Sequence, residues 1–260
     1  MPENGNGLLQ QNESLYGRSV GPNHSSIVRR ENGDNHSGPV AVHPPLFHGI
    51  LPGDYTRISA AARVKEFTRG QMLYIEGDSV QQVLLVTSGF VKITKFGLSG
   101  TEVILRFGVP GDVLGAVGLL STGKHCATAQ AFRLCRALVW EAPAFKALVE
   151  RFPVLHRNMA RLLEQDLLEL EERFREVATE RVGPRVARQL VRLLKQMGRP
   201  VNGTVELALS REDLAHMTGT TLFTVSRLLS AWEARGMVTS RRESVAISDI
   251  KSLRAMSEES

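Results

Sequence analysis

Residues 209–238 read LSREDLAHMTGTTLFTVSRLLSAWEARGMV, which is the pattern of two short helices around a tight turn. Ser210 and Asp213 have the spacing of a capping box at the start of the first helix. Gly219 has no Cβ and so permits the sharp change of direction between the helices. Thr220 or Thr221 then caps the second helix. The stretch is therefore predicted to form a helix-turn-helix.

The outer face of the second helix indicates DNA binding, because a helix-turn-helix places that face in the major groove. Arg227 is the residue able to contact guanine O6 and N7, and the short hydroxyl side chains suit phosphates or base edges. Leu222 and Phe223 stand where charge is more usual, and a thymine methyl is their predicted contact. The predicted DNA-binding residues are Thr221, Leu222, Phe223, Ser226, Arg227, Ser230, Arg241 and Arg242.

The flanking sequence supports the same interpretation. TVELALS, just upstream, alternates like a short strand, and MVTSRRESVAI, downstream, is predicted to be a β-hairpin with Arg241 and Arg242 at its tip. Residues 180–260 hold 13 basic and 9 acidic residues, which is most of the net charge of +5 and suits a polyanion-binding module. The alternative is a helical hairpin that merely packs.

A long helix is predicted over about 153–177, with Pro153 in its first turn. Its apolar positions follow 4-3-4-3 steps, which is the spacing of a seam that packs against a twin helix. Packing against the chain's own barrel is the alternative. The predicted dimer-interface residues are Leu163, Leu167, Leu170, Phe174 and Val177.

Upstream of this helix, residues 46 to about 148 alternate short apolar stretches with glycine turns, after a short helical piece. Such regular, short strands predict a sandwich or jelly-roll barrel. The fold class is thus α+β: an N-terminal β jelly-roll barrel, a long dimerisation helix and a C-terminal winged helix-turn-helix. The predicted organisation is a disordered tail 1–45, an effector domain 46–152, a dimerisation helix and hinge 153–179, a DNA-binding domain 180–250 and a tail 251–260.

In this order the motifs resemble the Crp/Fnr family of bacterial transcription regulators over about residues 46–250. FTRGQMLYIEGD resembles the family's first barrel strands, LVTSGFVKI its glycine turn and VPGDVLGAVGLL the segment that leads into the effector pocket. The resemblance implies a cyclic-nucleotide-binding-like barrel, a homodimer and a palindromic operator in double-stranded DNA. RNA polymerase is an open candidate as a further partner.

The chain departs from the family's cAMP-binding members in that pocket. Those members carry a Glu that accepts a ribose hydroxyl and an Arg that pairs with the phosphate, whereas this sequence has Ala116 and His125-Cys126 at those positions. The effector-pocket residues that the resemblance suggests are Gly115, Ala116, His125 and Cys126. The usual Arg-Glu pair of the recognition helix is replaced by Leu222 and Phe223, so its DNA site should differ. Cyclic AMP is therefore not the expected effector.

Other cofactors are restricted by the cysteines and histidines. The sequence holds only Cys126 and Cys135, without the N-terminal cysteine cluster of a 4Fe–4S centre. His24, His36, His43 and His48 fit no ligand spacing, so no metal site is predicted. Haem with His125 or Cys126 as axial ligand is an alternative, although a buried, inert Cys126 and a structural His125 are favoured.

The predicted function is a homodimeric DNA-binding transcription regulator that responds to an unknown signal other than cAMP or acts without ligand. A haem or other small-molecule sensor, or a ligand-binding barrel with no role in DNA binding, is the alternative. No catalytic residues and no enzyme activity are expected, because the barrel lacks a His/Glu ligand set. The sequence contains neither a membrane span nor a secretory signal, so a cytoplasmic location is expected.

Overall fold

The structure, a computed structural model, describes residues 44–258. The predictions for residues 1–43, which include disorder and the absence of a metal site at His24, His36 and His43, lie outside the described residues. The described chain starts with a 3-10 turn, Pro45–Phe47, and helix α1, Pro52–Ala60. Pro52 occupies the first helical position, where a missing N–H costs no hydrogen bond.

Two antiparallel four-stranded sheets form the predicted barrel. One sheet has the order β1-β8-β3-β6 and the other β2-β7-β4-β5, so strands distant in sequence are neighbours in space. Alternate side chains of each strand point between the sheets, and this buried set includes Phe67, Leu84, Val91 and Val139. The strands are β1 (Arg63–Phe67), β2 (Met72–Tyr74), β3 (Gln82–Ser88), β4 (Val91–Phe96), β5 (Glu102–Gly108), β6 (Val113–Leu114), β7 (Thr128–Ala131) and β8 (Cys135–Glu141).

Three helices follow or interrupt the barrel strands: α2 (Ala116–Leu120), α3 (Ala142–Arg151) and α4 (Pro153–Thr179). The start of α4 is fixed to the barrel domain by Leu155, which is fully buried, and by Asn158. The Asn158 amide donates to the carbonyl oxygens of Leu46 and His48, both at 2.8 Å. The N-terminal part of α4 is therefore anchored.

The C-terminal part of the described chain combines a small sheet with four helices packed around one apolar core. The sheet has the order β11-β12-β10-β9, and Leu190, Leu214, Leu229 and Val245 are fully buried beneath it and between the helices. The elements are α5 (Val182–Met197), β9 (Arg199–Val201), β10 (Thr204–Leu207), α6 (Arg211–Thr218), α7 (Leu222–Ala234), β11 (Val238–Ser240), β12 (Val245–Ile247) and α8 (Ile250–Ser257).

The C-terminal end differs from the tail expected at 251–260. Helix α8 occupies Ile250–Ser257, and its N-cap Asp249 accepts a hydrogen bond from the Ser252 backbone N–H at 3.0 Å. Leu253 is fully buried in the core of the DNA-binding domain. Within residues 44–258, none of the helices combines the length and apolarity needed to cross a bilayer.

Candidate DNA interface and effector pocket

The first helix of the helix-turn-helix, α6, begins at the predicted capping box. Ser210 Oγ accepts from the Asp213 backbone N–H at 3.0 Å, and the Asp213 carboxylate accepts from the Ser210 backbone N–H at 3.2 Å. Gly219 ends the helix with φ +60°, a conformation in which a Cβ is unfavourable. Thr221 Oγ1 then accepts from the Thr224 backbone N–H at 3.2 Å and starts α7. The predicted caps and turn are confirmed.

Helix α7 has one buried face and one exposed face. Val225, Leu229 and Trp232 are buried in the domain core. The side chains of Thr221, Leu222, Phe223, Arg227 and Ser230 are exposed, and Ser226 is half-buried. Arg227 has no hydrogen-bond or ion-pair partner among residues 44–258. The structure therefore places the six predicted α7 residues on one accessible side of the helix.

Arg241 and Arg242 lie in the turn between β11 and β12, as the predicted wing requires. The Arg241 backbone N–H donates to the Ser244 carbonyl at 2.8 Å, which closes the turn. Both side chains are exposed. Their neighbour Glu243 accepts a hydrogen bond from Arg69 of the barrel, with Nη1 and Oε2 3.0 Å apart. The wing tip is thus tied to the barrel by one exposed ion pair.

The helix-turn-helix also rests against the barrel, which the sequence did not indicate. Helix α6 packs on β5, where Ile104 and Phe107 join the apolar core of the DNA-binding domain. His216 Nδ1 lies 3.2 Å from the Glu102 carboxylate, which also pairs with Lys92 at 2.8 Å. These contacts bring the DNA-binding domain close to the edge of the barrel.

One consequence is a cleft between the recognition helix and the barrel. Leu222 and Ser226 line it on one side, and Arg69, Phe132 and Arg133 line it on the other. Arg133 also donates to the Ala208 carbonyl at 3.3 Å. Two residues of the predicted DNA-reading face, Leu222 and Ser226, therefore lie opposite the barrel across this cleft.

The four predicted effector-pocket residues lie together around a cavity of about 450 Å³ between the barrel and α4. Gly115 has φ +85° and is the residue before α2, and Ala116 is the first residue of that helix. A Cβ at Gly115 would lie 2.9 Å from the Gln82 carbonyl oxygen and 3.3 Å from His125 Cε1. Glycine is therefore required at this close approach.

His125 and Cys126 differ in their exposure. The His125 ring is buried and stacks on the Tyr74 ring at 3.8 Å with an interplanar angle of 3°. Burial lowers the pKa of His125, and the nearby Asp78 raises it by a smaller amount. Cys126, expected to be buried, is exposed at the cavity wall, because it belongs to the loop before β7. Cys135, on strand β8, is the buried cysteine.

A charged cluster at the pocket was not found from the sequence. Arg106 on β5 donates to the Asp112 carboxylate at 2.6 Å and to the Asp166 carboxylate at 3.1 Å. Asp112 belongs to the VPGD turn, but Asp166 lies on α4, 60 residues from Arg106, so no local spacing signals the contact. Among residues 44–258 no group of three His, Cys, Asp or Glu could hold a metal ion.

The predicted dimer seam changes character along α4. Leu155 and Met159, which extend the stripe upstream, are buried against the barrel. The later apolar side chains are 40–74% exposed in the single chain, and Leu163 also lines the cavity. Packing against the barrel therefore describes the N-terminal part of the helix, and the later apolar face is uncovered in the single chain. The exposed set is Leu163, Leu167, Leu170, Phe174 and Val177.

The end of α4 is joined to the DNA-binding domain by ion pairs. Glu176, 2% exposed, accepts hydrogen bonds from both terminal nitrogens of Arg192 on α5. Arg185 of the same helix donates to the Thr218 carbonyl of α6 at 2.8 Å. Hydrogen bonds therefore join α4 to α5 and α5 to α6.

Two protein families match the chain: the cyclic nucleotide-binding domain over residues 64–152 and the Crp-like helix-turn-helix domain over residues 184–256. The fold and the two family matches define a DNA-binding regulator whose barrel is of the cyclic nucleotide-binding type. The cyclic AMP receptor protein of Thermus thermophilus is 31% identical over 194 residues, which are 75% of this chain and 88% of that protein. The chain belongs to the Crp/Fnr family of transcription regulators, which are not enzymes.

Two further comparisons agree with this assignment. The CRP-like cAMP-activated global transcriptional regulator of Mycobacterium tuberculosis is 25% identical over 210 residues, covering 80% of this chain and 94% of that protein. The c-di-GMP responsive global regulator CLP of Xanthomonas campestris has the same fold, with a TM-score of 0.68 at 20% identity. The match covers 76% of this chain and 99% of the other.

Proposed function

We propose that the protein is a cytoplasmic, homodimeric regulator that binds a palindromic operator and responds to a signal other than cAMP, or to none. The observation that carries this proposal is the exposed apolar seam of α4 directly before a complete winged helix-turn-helix. The domain boundaries at 45, 152 and 179 are part of the proposal, and the DNA-binding domain includes helix α8. RNA polymerase is an open candidate as a further partner.

Dimerisation is supported by the exposure of the seam. Five large apolar side chains on one face of a helix form a patch that a soluble chain normally covers. Their heptad spacing is that of a helix that packs against a twin helix. A two-fold axis along α4 would pair the two recognition helices, at a separation of about 34 Å in successive major grooves.

DNA recognition is assigned to one face of α7 and to the wing. Arg227 would read a guanine, and Leu222 and Phe223 would contact thymine methyl groups. Thr221, Ser226 and Ser230 would bond to phosphates or base edges, and Arg241 and Arg242 to the backbone. The exposure of these side chains supports the assignment.

The proposal excludes cAMP although the Thermus thermophilus relative is named for it. A phosphate that enters the cavity loses its hydration and needs a cation or several donors in return. Arg106 is already bonded to two carboxylates, and burial lowers the pKa of His125, which keeps its ring neutral at pH 7. Ala116 offers no acceptor for a ribose hydroxyl.

Selection of binding sites from random DNA tests the proposed function. The full-length protein should enrich a palindrome whose half-sites are about one helical turn apart. Sedimentation of the complex between the protein and the selected DNA should give two protomers per site. Enrichment of a single half-site by a monomer, or no enrichment at all, would reject the proposal.

Haem is kept as the second candidate signal because His125 and Cys126 both line the cavity. The absorption spectrum of the purified protein distinguishes it from the main proposal. A Soret band that is lost in His125→Ala or Cys126→Ala would establish the haem sensor. A spectrum without that band after growth with added haem precursor would remove it.

A further inference from the structure

The arginine that lines the effector pocket is already paired with two carboxylates. Arg106 lines the cavity and lies between two carboxylates, Asp112 on the loop before β6 and Asp166 on α4, at 2.6 and 3.1 Å. The three groups together carry one net negative charge when all are ionised. An anionic ligand would therefore meet a guanidinium whose charge is more than neutralised.

Among residues 44–258, Lys95 is the other basic side chain of the lysine or arginine type that lines this cavity, and it is also paired. Lys95 Nζ lies 2.7 Å from Glu76 Oε1, and both side chains are partly exposed at the rim. Tyr74 and His125 form a stacked pair of rings in the wall. Burial raises the pKa of Tyr74, so its phenol stays protonated and neutral at pH 7.

The rest of the wall is mainly apolar. Ile93, Leu114, Ala127 and Met159 contribute to it, and Met159 extends the apolar surface onto α4. A cavity of about 450 Å³ is within the usual range for small-molecule sites. Transfer of an apolar molecule from water into a cavity with such a wall is favourable, whereas an ion must give up its hydration.

We propose that this pocket takes an uncharged, largely apolar small molecule and that the Arg106–Asp112–Asp166 cluster excludes anions from it. The inference rests on the proposed function, because it assigns the ligand class of the proposed effector pocket. Asp166 is the residue that sets the charge balance from α4, and ligand contact with α4 would reach α5 through Glu176 and Arg192.

Calorimetry with two matched probes tests the ligand class. 2-Naphthalenemethanol and 2-naphthoate share one ring system, and only the second is charged at pH 7. Full-length wild-type protein should bind the alcohol at least about tenfold more tightly than the carboxylate. In Asp166→Asn, Arg106 keeps one carboxylate partner only, so naphthoate should gain affinity and the ratio should shrink.

Asp54→Asn is the matched control, because Asp54 lies on α1 and its nearby charge is Arg57 at 3.5 Å. It should keep the wild-type ratio. Equal binding of both probes, tighter binding of naphthoate, or no binding of the alcohol by the wild type would overturn the inference. So would a ratio unchanged by Asp166→Asn in a folded protein. If that variant does not fold, the wild-type comparison alone decides.

DNA binding by the same samples separates this inference from the proposed function. Charge selectivity without any operator binding would leave the ligand class standing and reject the DNA-binding dimer. Operator binding without charge selectivity would do the reverse.

Discussion

The proposed reading of DNA bases depends mainly on one side chain, that of Arg227. It is exposed on α7, has no ion-pair partner among the described residues and is the one residue of that face able to donate twice to a guanine edge. Its neighbours Leu222 and Phe223 offer only apolar contact. Specificity for guanine should therefore depend on Arg227 more than on any other residue of the helix.

We expect Arg227→Ala to cost about 1–3 kcal/mol per half-site and to relax selection at one base pair. Binding-site selection and fluorescence anisotropy measure both effects. Arg57→Ala, an exposed arginine on α1 of the barrel, is the control and should behave as wild type. An unchanged motif and affinity in Arg227→Ala would assign the reading to another residue.

The wing arginines should behave differently, because contacts to phosphates carry no sequence information. We expect Arg241→Ala and Arg242→Ala to weaken binding to all sequences alike. Each should also reduce the slope of log K against log salt by about 0.9. Loss of affinity for one sequence alone, with an unchanged salt slope, would place these arginines at base edges instead.

Some contacts of single residues could be predicted from the sequence and others could not. The Ser210–Asp213 capping box was predictable, because both partners belong to one turn of helix and their types define the motif. The Arg106–Asp166 pair was not, since it joins a strand to a helix 60 residues away. Contacts of that kind depend on how the elements pack.

At the scale of elements, α4 has a buried part and an exposed part. Its N-terminal part is held by the barrel through Leu155 and Asn158, and its later part exposes the seam. The heptad spacing predicted the seam, but it did not indicate where burial in the barrel ends. That boundary depends on the length of the barrel wall against which the helix lies.

We expect Leu170→Glu to give monomers with much weaker operator binding, because two buried carboxylates would face each other across the seam. Sedimentation velocity measures the change. Leu168→Glu is the matched control: Leu168 is similarly exposed but is not one of the five seam residues. An intact dimer of Leu170→Glu would contradict the assigned interface.

At the scale of the whole molecule, the DNA-binding domain is docked on the barrel. Arg69 and Glu243 are 174 residues apart in the sequence, and Glu102 and His216 are 114 apart. The order of motifs predicted each domain, yet nothing in it signals this docking, which arises from long-range packing. Because a recognition helix in the major groove needs space on both sides, the docked arrangement should oppose DNA binding.

Arg69→Ala should therefore raise operator affinity a few-fold in the absence of any ligand. The substitution removes a positive charge, so a gain cannot come from stronger attraction to DNA. Arg63→Ala is the control, because Arg63 pairs with Glu141 within the barrel. Anisotropy titration that shows equal or weaker binding of Arg69→Ala would mean that docking does not restrain the reading helix.

We propose that this Crp/Fnr-type regulator binds its operator independently of cAMP. The most direct test is titration of the selected operator with the wild-type protein, with and without saturating cAMP. We predict that the two dissociation constants agree within about a factor of two, which corresponds to a coupling free energy below about 0.5 kcal/mol. A gain of tenfold or more, about 1.4 kcal/mol of coupling, would contradict the account.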